Sequence, residues 1–327
     1  MIQARIVALW RGYIRFLRTD KERVGTAERC LRGLLVVVPY YAIALLLLIR
    51  ATLWRPLTVE HTTDDGLRFR AQLPDGVQTF VYLFGVWEPD LTAFLRRRLR
   101  PGDTFIDIGA NVGYMSALAS KLVGPRGSVV SIEPAPIARA ALQETFAMND
   151  FANTRLVAAA VSDREDELPL FVGPSFLSLG RSTTVPRAAH GHPLLREHDR
   201  VHAAPLGSLV TREELATARL IKIDVEGAED RVLAGLLASI DALAPEAEIF
   251  VEVEARSWSD PQLRPIDALR PFLDRGFHVY QVSANYWPWR YLWSRRVSAP
   301  VRLRDLAVLE RRGRLDIVLS RVDADVL

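Results

Sequence analysis

Residues 104–116 read Thr-Phe-Ile-Asp-Ile-Gly-Ala-Asn-Val-Gly-Tyr-Met-Ser, an apolar strand running through a glycine loop into a helix. Few folds accept such a run. The loop brings backbone N–H groups and a helix N-terminus close to a polar ligand. The unit belongs to a doubly wound α/β sheet, whose ligands lie beyond the carboxyl ends of the strands. A dinucleotide site would carry G-x-G-x-x-G, with a third glycine for helix packing and a pyrophosphate above it. Here the glycines are Gly109 and Gly113, separated by Ala110, Asn111 and Val112, and Asp107 sits at the strand end. A carboxylate there repels a pyrophosphate and suits a cation.

Two later stretches extend the pattern: Ser-Ile-Glu-Pro at 131–134 and Ile-Lys-Ile-Asp-Val-Glu-Gly-Ala-Glu at 221–229. An acid ending the second strand, one βαβ unit after the glycine loop, can accept two hydrogen bonds from a ribose diol. Glu133 holds that position. S-adenosylmethionine combines a sulfonium cation, an amino-acid tail and an adenosine, and so answers both demands. The run from Asp107 to Gly113, with Glu133 and the Lys222–Gly227 stretch, resembles the FkbM family of S-adenosylmethionine-dependent methyltransferases. The resemblance extends over roughly residues 80–255 and rests on three motifs in order.

That resemblance implies a class I, Rossmann-like methyltransferase fold, with a mostly parallel seven-stranded sheet and an antiparallel last strand. It implies that the loop containing Asp107, Gly109, Asn111 and Gly113 cradles the methionine part and that Glu133 binds the ribose. In this fold adenine would lie where the third core strand ends, at Val161 and Ser162. The acceptors it implies are hydroxyls of glycans, glycolipids or small natural products.

Alternating periodicity supports the same layout. Core strands are expected at 104–108, 128–132, 155–160, 219–224, 247–253, 277–282 and 315–321, with helices near 112–122, 136–147, 228–238 and 265–275; strands alternating with helices of this length argue for a mostly parallel sheet. Residues 58–84 alternate in the manner of strands, with turns at Asp64-Asp65-Gly66 and Pro74-Asp75-Gly76, and a helix follows from Trp87 through Leu99. The expected organisation is a segment 1–55, a β element with lead-in helix over 56–100, and a methyltransferase domain over 101–327.

Lys222, Asp224 and Glu226 surround the end of the fourth core strand and are the candidate catalytic residues. Methyl transfer to a hydroxyl gains from positioning and from a general base; Asp224 is the first candidate base and Glu226 the second. Lys222 would tune a carboxylate or stabilise an alkoxide, and a purely structural ion pair is the alternative for all three. Asp224 and Glu226 holding Mg²⁺ gives a rival enzymatic reading. A membrane-tethered scaffold that binds the donor without catalysis gives a non-enzymatic one. The run Tyr-Trp-Pro-Trp-Arg-Tyr-Leu-Trp at 286–293 offers Trp287, Trp289 and Arg290 to a sugar or phosphate, or else to a membrane interface. His190, His192, His198 and His202 read as a polar loop, and no metal site is expected there.

Charge separates the chain into two parts. Residues 1–55 hold ten Lys/Arg and three Asp/Glu, a balance of +7 against +3 for the whole chain, which leaves −4 for the rest. An acidic catalytic part argues against nucleic acid, as does Asp224-Val225-Glu226-Gly227 where an amino-methyltransferase would favour Asp/Asn-Pro-Pro-Tyr. Residues 1–30 form a basic amphipathic pattern, and the uncharged run Leu34–Ile49, interrupted by Pro39, falls short of the roughly 20 residues of a spanning helix. The expectation is a re-entrant or interfacial segment on the cytoplasmic face of a membrane, with a true span, or packing against the catalytic domain or a second subunit, as the alternatives. The lone Cys30 excludes an internal disulfide and suits a reducing compartment. No oligomeric state is read from the sequence.

Overall fold

The computed structural model describes residues 2–18, 25–174, 182–283, 285–293, 297–311 and 313–327, with the backbone alone at residues 2–6 and 293. Two helices begin the chain, α1 (Ile2–Leu17) and α2 (Thr26–Leu53). The second is longer than its uncharged run and continues through Pro39 for 28 residues, about 42 Å at 1.5 Å per residue. The helix thus runs unbroken across Pro39. It is docked along one face through Val36, Ile43, Leu47 and Ala51.

A hairpin follows, β1 (Leu57–Thr62) with β2 (Arg68–Leu73), in antiparallel register from Leu57↔Leu73 to Thr62↔Arg68. The strand reading fails after it: residues 76–84 form helix α3 (Gly76–Phe84), capped by Asp75, whose carboxylate accepts from Gln78 N at 3.0 Å. The segment Val81–Phe84 is buried on every side, so it shows neither a two-residue nor a 3.6-residue period, and the Asp75 cap decides. Helix α4 (Pro89–Arg98) begins with proline in its first turn, as expected.

The core then runs β3 (Thr104–Ile108), α5 (Tyr114–Val123), β4 (Ser128–Ile132), α6 (Pro136–Met148) and β5 (Thr154–Val157). An insertion follows: β6 (Ala160–Val161), β7 (Asp166–Val172), β8 (Ser182–Thr183), α7 (Pro186–His190) and β9 (Arg196–Ala204), whose strands form a separate sheet of order β6-β9-β7-β8. Short helices α8 (Leu206–Leu209) and α9 (Arg212–Ala216) return the chain to β10 (Ala218–Ile223), α10 (Glu229–Leu237), β11 (Glu248–Val253), α11 (Pro265–Leu273), β12 (His278–Val282), β13 (Val301–Arg302), α12 (Val308–Arg311) and β14 (Leu315–Ser320).

The main sheet has the order β13-β12-β14-β11-β10-β3-β4-β5. Pairs from β11 through β5 are parallel, and β14 runs antiparallel to both β11 and β12. All seven expected strands are present, with the antiparallel last strand inserted as the methyltransferase arrangement requires; β13 adds a two-residue edge. The insertion corrects the loop reading of the histidines. His198 and His202 lie on β9, which pairs with β7, and His190 ends α7. Most of β9 is exposed, so it lacks the apolar alternation that marks a strand in sequence.

Successive residues of each strand point to opposite faces, and each face has its own core. Phe105, Val129, Leu220, Phe250 and Val318 pack with α5 and with Ile14, Val36, Leu73, Phe84 and Phe94 of the N-terminal elements. Ile106, Val130, Ile221, Ile249 and Ile317 pack with α10 and α11. The N-terminal segment thus covers one face of a sheet that must be covered on both.

Gly113 opens α5 at φ 86°, and an added Cβ would lie 2.2 Å from Leu142 Cδ1 on α6. Gly113→Ala is expected to lower stability by about 1–3 kcal/mol through overpacking and strain. Chemical denaturation of Gly113→Ala checks this; unchanged stability would show that Leu142 yields freely.

Candidate active site

The site lies where β3, β4, β10 and β11 end. Gly109 follows β3 at φ 79°, and a Cβ there would meet Asp224 O at 1.8 Å. Only glycine lets the two strand ends approach so closely. Gly109 N and Ala110 N both donate to Ile132 O, at 2.9 and 3.1 Å, and Asp224 N donates to Ile108 O at 3.1 Å, so three strand ends are stitched together. Asn111, at φ 52°, turns the loop so that its N–H donates to Glu133 Oε2 at 2.9 Å. Glu133 Oε1 accepts from Ala135 N at 2.8 Å. A carboxylate has about four lone-pair sites, so two backbone donors leave Glu133 capacity for further donors.

Behind the loop, Lys222 stands opposite Asp107 in the β10–β3 register. Its Nζ lies 3.4 Å from Asp107 Oδ1 and 3.1 Å from Asp224 Oδ2. Asp107 Oδ2 also accepts from Ser116 Oγ at 2.6 Å. Burial of Lys222 disfavours its charge, but Asp224, Asp107 and Glu88 outweigh that and raise its pKa, so it stays protonated. Burial likewise works against an ionised Asp224, yet Lys222 and Arg314 hold its pKa below the usual range.

A cavity of about 420 Å³ opens above these groups. Gly109, Asn111, Glu133, Val161, Asp224 and Glu226 line it, as expected of ligand-facing residues. Asp107, Gly113, Ser162 and Lys222 do not line it; they lie beneath or beside its wall. Asp107 is fully buried as a partner of Lys222 and Ser116, which differs from the direct contact expected with a cationic ligand. Gly113 serves helix packing. Ser162 is buried, its N–H donating to Ala204 O on β9 at 3.0 Å.

The cavity also gathers residues that sequence reading did not single out: Glu88, Glu252, Tyr286 and Arg314. Tyr286 donates to Glu88 Oε1 at 2.6 Å, and Arg314 donates to Tyr286 Oη. Arg314 Nε lies 2.6 Å from Glu252 Oε1. Burial, then the charge of Asp224, raises Glu252 well above the ordinary carboxyl range. Burial also raises Glu88, again reinforced by Asp224. The signal for Glu252 was an acid inside the otherwise apolar run Ile249–Val253; Glu88 hid in a helix-start motif.

Trp287 and Trp289 stack at 4.7 Å outside the cavity, and Arg290 reaches Asp90 Oδ2 at 2.6 Å. None of these three lines the cavity; they border α2. Glu229 opens α10, and its carboxylate accepts from Gly227 N at 2.9 Å. Among the described residues, no group of three or more His, Cys, Asp or Glu converges as metal ligands.

A strand-ended glycine loop, an acid on the second strand and a ligand space at the carboxyl ends of a sheet with an antiparallel inserted strand define a class I methyltransferase fold. The chain belongs to the FkbM methyltransferase family: the methyltransferase FkbM domain model matches residues 107–279. The 31-O-demethyl-FK506 methyltransferase FkbM of Streptomyces tacrolimicus is 32% identical over 162 residues, which cover 42% of this chain and 61% of that protein. The methyltransferase sdnD of Sordaria araneosa is 26% identical over 215 residues, 58% of this chain and 79% of that one. Among solved structures, the methyltransferase FkbM of Methylobacillus flagellatus is similar at 15% identity and a TM-score of 0.38, over 64% of this chain and 51% of that one. TYW2 of M. jannaschii, solved with AdoMet, is similar at 14% identity and a TM-score of 0.41, over 82% and 89%.

Two predictions follow from the charges. Lys222→Met would strand Asp107 and Asp224 without their cation, at about 3–5 kcal/mol. At roughly 2 °C per kcal/mol for a large chain, Tm is expected to fall by about 6–10 °C; calorimetry showing no change would refute the buried pair as a stabilising element. Second, burial raises Glu133 to about 7, and Glu229 and Asp316 to about 8. A carboxyl raised in the fold holds a proton that the unfolded chain releases, so its contribution is lost as pH climbs to the folded value. Buried His61, lowered to about 3, opposes this only below its unfolded value of 6.5. Tm is therefore expected to decline from pH 6.5 to 8, less steeply in Asp316→Asn. A rising Tm over that range would contradict the assignment.

Proposed function

We propose that the chain transfers a methyl group from S-adenosylmethionine to a hydroxyl of a small-molecule, saccharide or glycolipid acceptor. The observation that carries this reading is a single cavity joining the Gly109–Asn111 loop, Glu133 and Asp224. The residues fit the donor. Asn111 Oδ1 is buried without a hydrogen-bond partner, Glu133 retains lone pairs, and the space beyond Gly109 is lined by Ala160 and Val161, apolar as adenine requires. When bound, S-adenosylmethionine supplies an electrophilic methyl on a positively charged sulfur.

The chain's own groups supply the rest. Six carboxyls, those of Asp75, Glu88, Glu133, Asp224, Glu226 and Glu252, line the cavity with Arg314; that field favours a cation and disfavours a nucleic-acid phosphate. Neighbouring carboxyls driven to opposite sides of their usual range divide acid and base roles. Asp224, the ionised member, would take the proton of the acceptor hydroxyl; the bound donor would supply the methyl group, its S–CH3 bond breaking with the electron pair returning to sulfur as a neutral thioether. Glu252 lines the same cavity, held by Arg314, and burial with the charge of Asp224 raises its pKa. Lys222 positions Asp224 without facing the cavity. A hydroxyl acceptor also agrees with the name of the Streptomyces relative, a 31-O-demethyl-FK506 methyltransferase. The helices of residues 1–55, with their basic flanks and the outward apolar side of α2, would hold the enzyme to the cytoplasmic face of a membrane.

S-adenosylhomocysteine is expected to raise Tm, as a ligand specific to the folded state does, and NAD is not. Gly109→Ala should abolish that rise. Asp224→Asn should keep it while lowering methyl transfer at least about 10²-fold. Stabilisation by NAD alone would overturn the donor assignment. Full turnover by Asp224→Asn would remove it as base, and activity lost to a chelator and restored by Mg²⁺ would favour the metal-assisted route.

A further inference from the structure

We infer that an aromatic groove beside α2 binds the hydrocarbon chain of an amphiphilic acceptor whose hydroxyl-bearing head enters the catalytic cavity; this rests on the methyl-transfer reading above. The groove has a volume of about 590 Å³ and is lined by Tyr40, Tyr41, Phe80, Asn285, Tyr286, Trp287 and Pro288. Phe80 and Tyr286 line both spaces. Tyr286 faces two chemistries at once: its ring walls the groove, while its hydroxyl bonds Glu88 and Arg314 at the catalytic cavity.

The two spaces differ in a way that matches an amphiphile. No charged residue lines the groove, whereas the cavity beyond Tyr286 carries Glu88, Asp224, Glu252 and Arg314. A chain therefore loses no hydration of charge on entering the first, and a polar head finds hydrogen-bonding partners in the second. The groove also adjoins an exposed apolar side of α2. Leu34, Val38, Tyr41, Leu45, Leu46 and Ile49 of α2 are all exposed, and Tyr41 belongs to both that surface and the groove. Contiguous apolar exposure on this scale marks an interaction surface. The exposed, stacked pair Trp287–Trp289 stands where α2 meets the loop after β12, with Trp289 Cβ 3.8 Å from where a Cβ on Gly33 would lie. Paired indoles at such an edge suit a lipid–water boundary. The occupant is thus a hydrocarbon tail delivered along α2, and a wholly water-soluble sugar would leave the groove unused.

The test uses the full chain saturated with S-adenosylhomocysteine and a series of alkyl glucosides, from butyl to dodecyl, each below its micelle concentration. Binding measured by calorimetry is expected to tighten by roughly threefold for each added methylene until the groove is filled. The double variant Tyr41→Ser, Trp287→Ser replaces two exposed side chains, so the fold should persist. It should weaken dodecyl binding at least tenfold, leave butyl binding unchanged and keep the Tm rise given by S-adenosylhomocysteine. Equal dodecyl binding by wild type and double variant would overturn the groove. So would a loss seen instead in Leu45→Ser, Leu46→Ser on the outer side of α2, which would mean adsorption to the helix alone. Absence of the Tm rise in the wild type would overturn the methyl-transfer reading itself, independently of the alkyl series.

Discussion

One buried cation governs the ligand end of the sheet. Lys222 lies one residue from the end of β10, opposite Asp107 on β3, and reaches Asp224 just beyond the strand. Burying an ammonium is costly unless it is paired, and here two carboxylates from adjacent strands meet it. The register that brings Lys222 to Asp107 is the register that lets Gly109 pass against Asp224 O. The donor loop and the candidate base are thereby held at a fixed separation. Moving either strand by one residue would turn Lys222 to the other face and dissolve the arrangement.

The charge of Lys222 then spreads outward. With Arg314 it holds the pKa of Asp224 down, while burial and the charge of Asp224 raise those of Glu252 and Glu88. The cavity thus gathers carboxyls pushed to opposite sides of their usual range. Arg314, brought in by the antiparallel β14, closes the circuit from Glu252 to Tyr286. The inserted last strand therefore completes the site as well as the sheet.

Much of this was legible in the sequence for physical reasons. Parallel strands buried on both faces read as short apolar runs, and all seven stood out because turns and amphipathic helices separate them. Gly109, Asn111 and Glu133 were marked by their offset from β3. What stayed hidden follows from the same physics. Glu88 and Tyr286 are 198 positions apart and meet only through tertiary folding. Residues 81–84 carry no period because they are buried all round, and β9 carries none because most of it is exposed. Asp107 and Gly113 were correctly marked as exceptional positions, but their constraint comes from Lys222 and Leu142, not from the cavity. The uncharged run at 34–49 understated α2, since its flanking arginines remain helical beyond the apolar stretch.

The most direct test of the account is a crystal structure of the full chain with S-adenosylhomocysteine. The account predicts that the ribose hydroxyls lie within hydrogen-bonding distance of Glu133, with the sulfur turned toward Asp224 and the amino-acid tail over Gly109 and Asn111. A ligand bound elsewhere, or with its ribose away from Glu133 and its sulfur away from Asp224, would contradict it.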